Sequence, residues 1–238
     1  MTESAYSGSG LQNRVWVAFV RAFPTAMTLV PVAMLCGVLA AQSGWSVEEV
    51  LLFSTLGFSG SGQFALIPLS GQGLGVLTML FMAVSINSRY IPIAFATASR
   101  LPASRTARAM AAHMLGDEAY AVESERDSVA SVVTIRATIY SVWILSNVAG
   151  VLALGLMPPG LIGKGINLGF PASVVLLVLS LGQLKVRVPR IGAANSRRIA
   201  ETALCVIVAM ALFGMLGKVW FWLPSIAFST WRMWRAGA

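Results

Sequence analysis

The sequence predicts an all-α, polytopic integral membrane protein, and three observations carry that prediction. Of 238 residues, 57% are hydrophobic and only 11% charged, against about 25% charged in an ordinary soluble domain. The apolar residues fall into long runs, and no soluble fold hides that much apolar surface. The 17 Lys and Arg outnumber the 9 Asp and Glu. They collect in short loops between the runs, which is a positive-inside bias and calls for no nucleic-acid partner. The lipid bilayer is the partner that composition demands. With one His, and with Cys36 and Cys205 inside apolar runs, there is no disulfide framework and no ligand set for a metal. No cofactor is expected.

Residues 1–14 read as a flexible cytosolic tail, and 15–238 as a single transmembrane domain. The first apolar run, 15–42, is too long for a signal peptide and lacks its cleavage pattern, so it stays as a span. Pro24 and Pro31 lie within it, and each removes a backbone donor; a bent helix and an interrupted one are both open. Ala18, Ala22 and Ala26, then Ala33, Gly37 and Ala41, recur every four residues. That spacing lets helix backbones approach closely, within the chain or between subunits. A polar loop over 44–49 leads to two apolar runs, 51–69 and 74–99, joined by Gly71-Gln72-Gly73. A basic loop with Arg100, Arg105 and Arg108 follows, then a mixed stretch over 109–122 and a polar one over 123–131. Clear spans resume at 132–157, stopped by Pro158-Pro159-Gly160, and at 168–184. The most basic loop covers 185–198. The last run, 200–231, is interrupted at 214–218, and Trp220, Trp222, Trp231 and Trp234 mark an interfacial aromatic belt.

Six or seven apolar segments are expected. If the tail and both basic loops are cytoplasmic, three crossings before Arg100 are one too many. Either one run is re-entrant or the N-terminus is outside.

The two runs after the polar loop each carry a polar knot near the midpoint, Ser59-Gly60-Ser61-Gly62-Gln63 and Ser85-Ile86-Asn87-Ser88-Arg89-Tyr90. Polar groups at that depth cost about 2.5–3.5 kcal/mol each on insertion scales, so they face a cavity, a partner or a solute. Glycine pairs loosen the helix there, as in the interrupted helices of transporters. Ser59, Ser61 and Gln63, with backbone freed at Gly60 and Gly62, offer donors for a carboxylate and acceptors for an ammonium. The competing reading is a glycine-rich helix contact bridged by Gln63.

Arg89, flanked by Asn87 and Tyr90, binds an anion, pairs with a buried carboxylate or ends a re-entrant helix. Where the two knots meet, a small amino acid would lie with its side chain toward Ala65, Leu66 and Ile93. Asp117 or Glu118 could carry a proton if buried, or face solvent on an interfacial helix. His113 reads as structural, and Asn147 as an amide bonding a neighbouring helix.

Together the stretch 58–64 with its Ser-Gly-Ser-Gly-Gln core, Asn87-Ser88-Arg89-Tyr90 and Asp117-Glu118-Ala119-Tyr120 resemble the AzlC family. The prolines followed by Leu35-Cys36-Gly37 are similar too, so the resemblance covers most of 15–155. It implies the large subunit of a two-component exporter of branched-chain amino acids in the cell inner membrane. Such an exporter is proton-energised and works with a small hydrophobic AzlD-type subunit. By motif position it implies substrate contacts at Gly60, Gly62, Gln63, Asn87 and Arg89, and proton coupling at Asp117 and Glu118. The chain has no phosphate-binding G-x-x-x-x-G-K-[ST] loop, so no ATPase is expected and no enzyme. A passive channel for a small neutral or anionic solute, or a scaffold whose pathway lies in the partner, remain the alternatives, and assembly into a higher oligomer is open.

Overall fold

The computed structural model describes residues 3–156 and 195–237. Helix α1 (Glu3–Gln42) is followed by α2 (Val47–Leu56), α3 (Gly60–Ser70), α4 (Val76–Asn87) and α5 (Tyr90–Thr97), which ends in a 3-10 turn, Ala98–Arg100. Then come α6 (Arg105–His113), α7 (Asp117–Val122), α8 (Val129–Leu156), α9 (Asn195–Trp220) and α10 (Trp222–Gly237), with no strand among the described residues. Among the described residues, three stretches are long and apolar enough to cross a membrane: Gln12–Gln42, Val129–Leu156 and Ile199–Gly217. This is an all-α polytopic membrane protein. The span expected over 168–184, the Pro158-Pro159-Gly160 stop and most of the basic loop over 185–198 lie outside the described residues.

Helix α1 runs unbroken through Pro24 and Pro31, so of the two readings of the first run the continuous helix holds. It begins at Glu3. Its small residues form an intramolecular seam with α8. Ala18, Ala22, Ala26 and Ala33 are buried. A Cβ at Gly37 would lie 1.9 Å from the Asn147 carbonyl oxygen, and one at Gly150 would lie 2.1 Å from that of Met34. Two backbones that close leave no room for a side chain. Four turns earlier, midway along α1, Arg21 pairs with Asp127, just before α8. Contacts therefore advance together along both helices, which run parallel.

Both polar knots break their helices. Between α2 and α3 the helix stops over residues 57–59, and between α4 and α5 it stops at Ser88 and Arg89. Helix α2 starts on a capping box, in which the Ser46 side chain accepts from the Glu49 amide and Glu49 accepts from that of Ser46. The Glu48 backbone amide and the Ser46 hydroxyl hold the exposed Glu48 carboxyl below the usual carboxylate range. The interruption expected in the last run falls at Gly217, whose φ of 71° with ψ of 178° suits glycine alone.

By their contacts the residues group into two compact units, Met1–Pro68 with Tyr90–Ile166, and Leu69–Arg89 with Asn167–Ala238. In the first, Arg21 meets Asp127 and Arg100 donates to the Ser124 carbonyl at 2.7 Å. The middle of α1, the start of α8 and the Arg100 turn thus lie together in that unit. In the second unit Arg232 of α10 forks onto Glu201 of α9, with contacts of 2.7 and 2.8 Å.

Candidate functional site

The first break is built around Gln63, which is 1% exposed. A helix end leaves carbonyls without intrahelical partners, and in a bilayer no water replaces them. Gln63 Nε2 donates to the carbonyls of Phe53 at 3.4 Å and Gly57 at 3.3 Å, at the end of α2. Its Oε1 accepts from Trp143 Nε1 at 2.9 Å and from the Cys36 thiol at 3.8 Å. Both donors and both lone pairs are thereby used. The Ser59 hydroxyl accepts from the Gly62 amide at 3.2 Å and caps α3. Gly60 packs under the Trp143 ring, where a Cβ would stand 3.1 Å from the indole. Ser61 Oγ is buried and has no hydrogen-bond partner among the described residues.

A second pair of side chains completes the end of α2. The Thr55 carbonyl receives Tyr140 Oη at 2.9 Å and His113 Nε2 at 2.6 Å. A carbonyl only accepts, so His113 carries its proton on Nε2. The histidine has the structural role expected of it, as a cap on a broken helix. Asn147 differs from expectation. Its amide donates to the Trp143 carbonyl of its own helix at 2.9 Å, because the neighbouring helix presses its bare Gly37 against the Asn147 backbone.

The second break belongs to the other unit. Ser85, fully buried, and Asn87, half-buried, stand on the last turn of α4. Ser85 Oγ and Asn87 Oδ1 are buried without a hydrogen-bond partner among the described residues. Arg89 occupies the break itself and is half-buried, and Tyr90 opens α5 in the first unit. Asp117 and Glu118 form the first turn of α7, both half-buried, where a helix N-terminus favours negative charge.

Sequence reasoning missed one cluster. Arg136, fully buried in α8, reaches Glu123 through Nε at 2.6 Å and Nη2 at 3.3 Å. It also donates to the Ala111 carbonyl at 2.9 Å and to Thr97 Oγ1 at 3.1 Å. The Glu123 side chain has no exposure, and Arg100 lies 3.6 Å from its other oxygen. The group ties the end of α5, α6 and the end of α7 to α8. The available signal was an arginine two turns inside an apolar run of span length, which has few reasons to be there unless paired.

Broken helices whose ends are satisfied by side chains, set beside unpartnered polar atoms in an apolar fold, define a membrane protein of transporter type. A profile of the AzlC protein family matches residues 24–157, which include both breaks, Asp117, Glu118 and the Arg136 cluster. An uncharacterized membrane protein of Archaeoglobus fulgidus is 31% identical over 209 residues, 84% of this chain and 92% of its own length. No solved structure matches the chain. The chain belongs to the AzlC family.

Proposed function

We propose that the chain is the large subunit of a secondary transporter in the cell inner membrane that exports branched-chain or other small apolar amino acids. One observation supports this above the others: at the end of α4, Ser85 Oγ and Asn87 Oδ1 are buried with no hydrogen-bond partner among the described residues, next to Arg89 in the chain. Each such atom costs about 1–3 kcal/mol, a cost that a polar solute at that break would offset. A zwitterion with a short aliphatic side chain fits that chemistry. The Arg89 guanidinium takes the carboxylate, while Asn87 Oδ1 and freed carbonyls take the ammonium. Ser59, Gly60, Ser61, Gly62, Gln63 and Tyr90 are further candidate contacts by their positions in the sequence motifs. Asp117 or Glu118 carries the coupling proton. A small hydrophobic AzlD-type subunit completes the transporter.

The test is intracellular valine, leucine and isoleucine in cells fed the corresponding dipeptides, with and without this chain and the small subunit. Co-expression should lower all three pools, and Arg89→Gln should abolish the effect. Arg89→Lys should not restore it, because lysine keeps the charge but loses the planar fork. Unchanged pools refute amino-acid export. Efflux that survives collapse of the proton gradient replaces the coupled transporter with a passive channel.

A further inference from the structure

The first half of α1 and the start of α8 enclose a cleft of about 160 Å³ that the transport reading does not use. Asn13, Arg14 and Arg21 line it from α1, and Asp127 and Ser131 close the other wall. Its charges do not balance. Asp127 pairs with Arg21 and also accepts the Ser124 amide at 2.7 Å, so that carboxylate is fully engaged. Arg14 lies two helical turns before Arg21 on the same face of α1. It makes no ion pair or hydrogen bond among the described residues. One unneutralised guanidinium remains, beside a carboxamide and a hydroxyl. A guanidinium fork matches the oxygens of a phosphate, and the carboxamide and hydroxyl add neutral donors.

The level of the cleft along α1 indicates where that phosphate comes from. The apolar span begins at Gln12. On the same turns Trp16 is 63% exposed, as suits a side chain facing lipid. Tryptophan favours the headgroup boundary. An apolar groove lined by Val15, Trp16, Phe19 and Thr134 opens on the same turns, offering a wall to acyl chains. Basic pockets at the cytoplasmic ends of transmembrane helices take anionic headgroups. We propose that this cleft holds the phosphate of an anionic phospholipid, with Arg14 as its main contact.

The full-length chain, purified in detergent micelles, is titrated with phosphatidylglycerol, phosphatidylcholine or inorganic phosphate. Retained lipid is counted by native mass spectrometry, and the thermal midpoint is followed alongside. Phosphatidylglycerol should be retained and should raise the midpoint, and phosphatidylcholine should do neither. Arg14→Gln should weaken phosphatidylglycerol retention about tenfold or more, with Arg14→Lys in between. Arg105→Gln, an exposed arginine of α6 outside the cleft, should leave it unchanged. Equal retention by Arg14→Gln and the parent chain overturns the proposal. So does an equal loss in Arg105→Gln, which would mean diffuse attraction, or full protection by inorganic phosphate, which would mean a free-anion site. A fall in the lipid-free midpoint of Arg14→Gln shifts the comparison to Arg14→Lys, where retention equal to the parent's refutes the two-pronged contact.

Discussion

Gln63 sits where two readings of a buried amide diverge. With its donors on Phe53 and Gly57 and its oxygen under Trp143 and Cys36, the side chain is a brace before it is a ligand contact. Gln63→Leu keeps the volume but strands the indole N–H and the end of α2. The expected cost is about 1–3 kcal/mol, read as a lower thermal midpoint in micelles. A residue that only touched solute would leave that midpoint unchanged. The Ser59–Gln63 knot was legible in the sequence as a break. That its glutamine is saturated was not, because Trp143 lies 80 positions away and hydropathy carries no information on such a pairing. Ser61, Ser85 and Asn87 are the complement: polar side chains whose company in the chain is ordinary and whose burial without a partner becomes visible only once the helices are packed.

Among the elements, the short helices α5, α6 and α7 are too brief to be stable alone, since isolated helices under about 12–15 residues are marginal. The Arg136–Glu123 pair gives them a common anchor on α8. Burying both charges is expensive, and removing one leaves the other stranded, at about 3–5 kcal/mol. Glu123→Leu and Arg136→Met should each lower the midpoint and the yield sharply. The double variant should lose less than the sum of the two, because both stranded charges disappear together. Additive losses would mean that the two side chains act independently. The anchor escaped the sequence because charged residues were sought at the midpoints of the runs, whereas Arg136 enters near the start of α8 and its carboxylate sits in a stretch that reads as solvated loop. Composition shows how many charges a chain carries; which of them meet is a property of the packed helices.

For the whole molecule the testable quantity is sidedness. The ion pair and hydrogen bond that tie Arg21 and Arg100 to residues 124–127 place Ser104 and Ser124 at one end, the end that basic-loop charge assigns to the cytoplasm. In the other unit, the Glu201–Arg232 fork makes α9 and α10 a hairpin whose outer ends share a side. Single cysteines at Ser104, Ser124, Ser196 and Arg235, with Cys36 and Cys205 replaced, should all label from the cytoplasmic side with an impermeant maleimide. Opposite labelling of Ser104 and Ser124 would break the single-ended arrangement of the first unit. Opposite labelling of Ser196 and Arg235 would break the hairpin.

The sequence by itself determined the class of protein, the main spans and the positions of the helix breaks. Each is a local matter of how many consecutive residues favour lipid and where glycine and polar side chains interrupt them, and length and composition read such matters directly. The tertiary structure decided that the small-residue stripe of α1 is spent on α8 inside the chain. It also decided that Gln63 braces its own break, and that Arg136 and Glu123 neutralise each other out of sight of water. Those outcomes depend on contacts between positions tens of residues apart. The energy of a buried polar group is set by the partner it finds, and the order of residues along the chain does not name that partner.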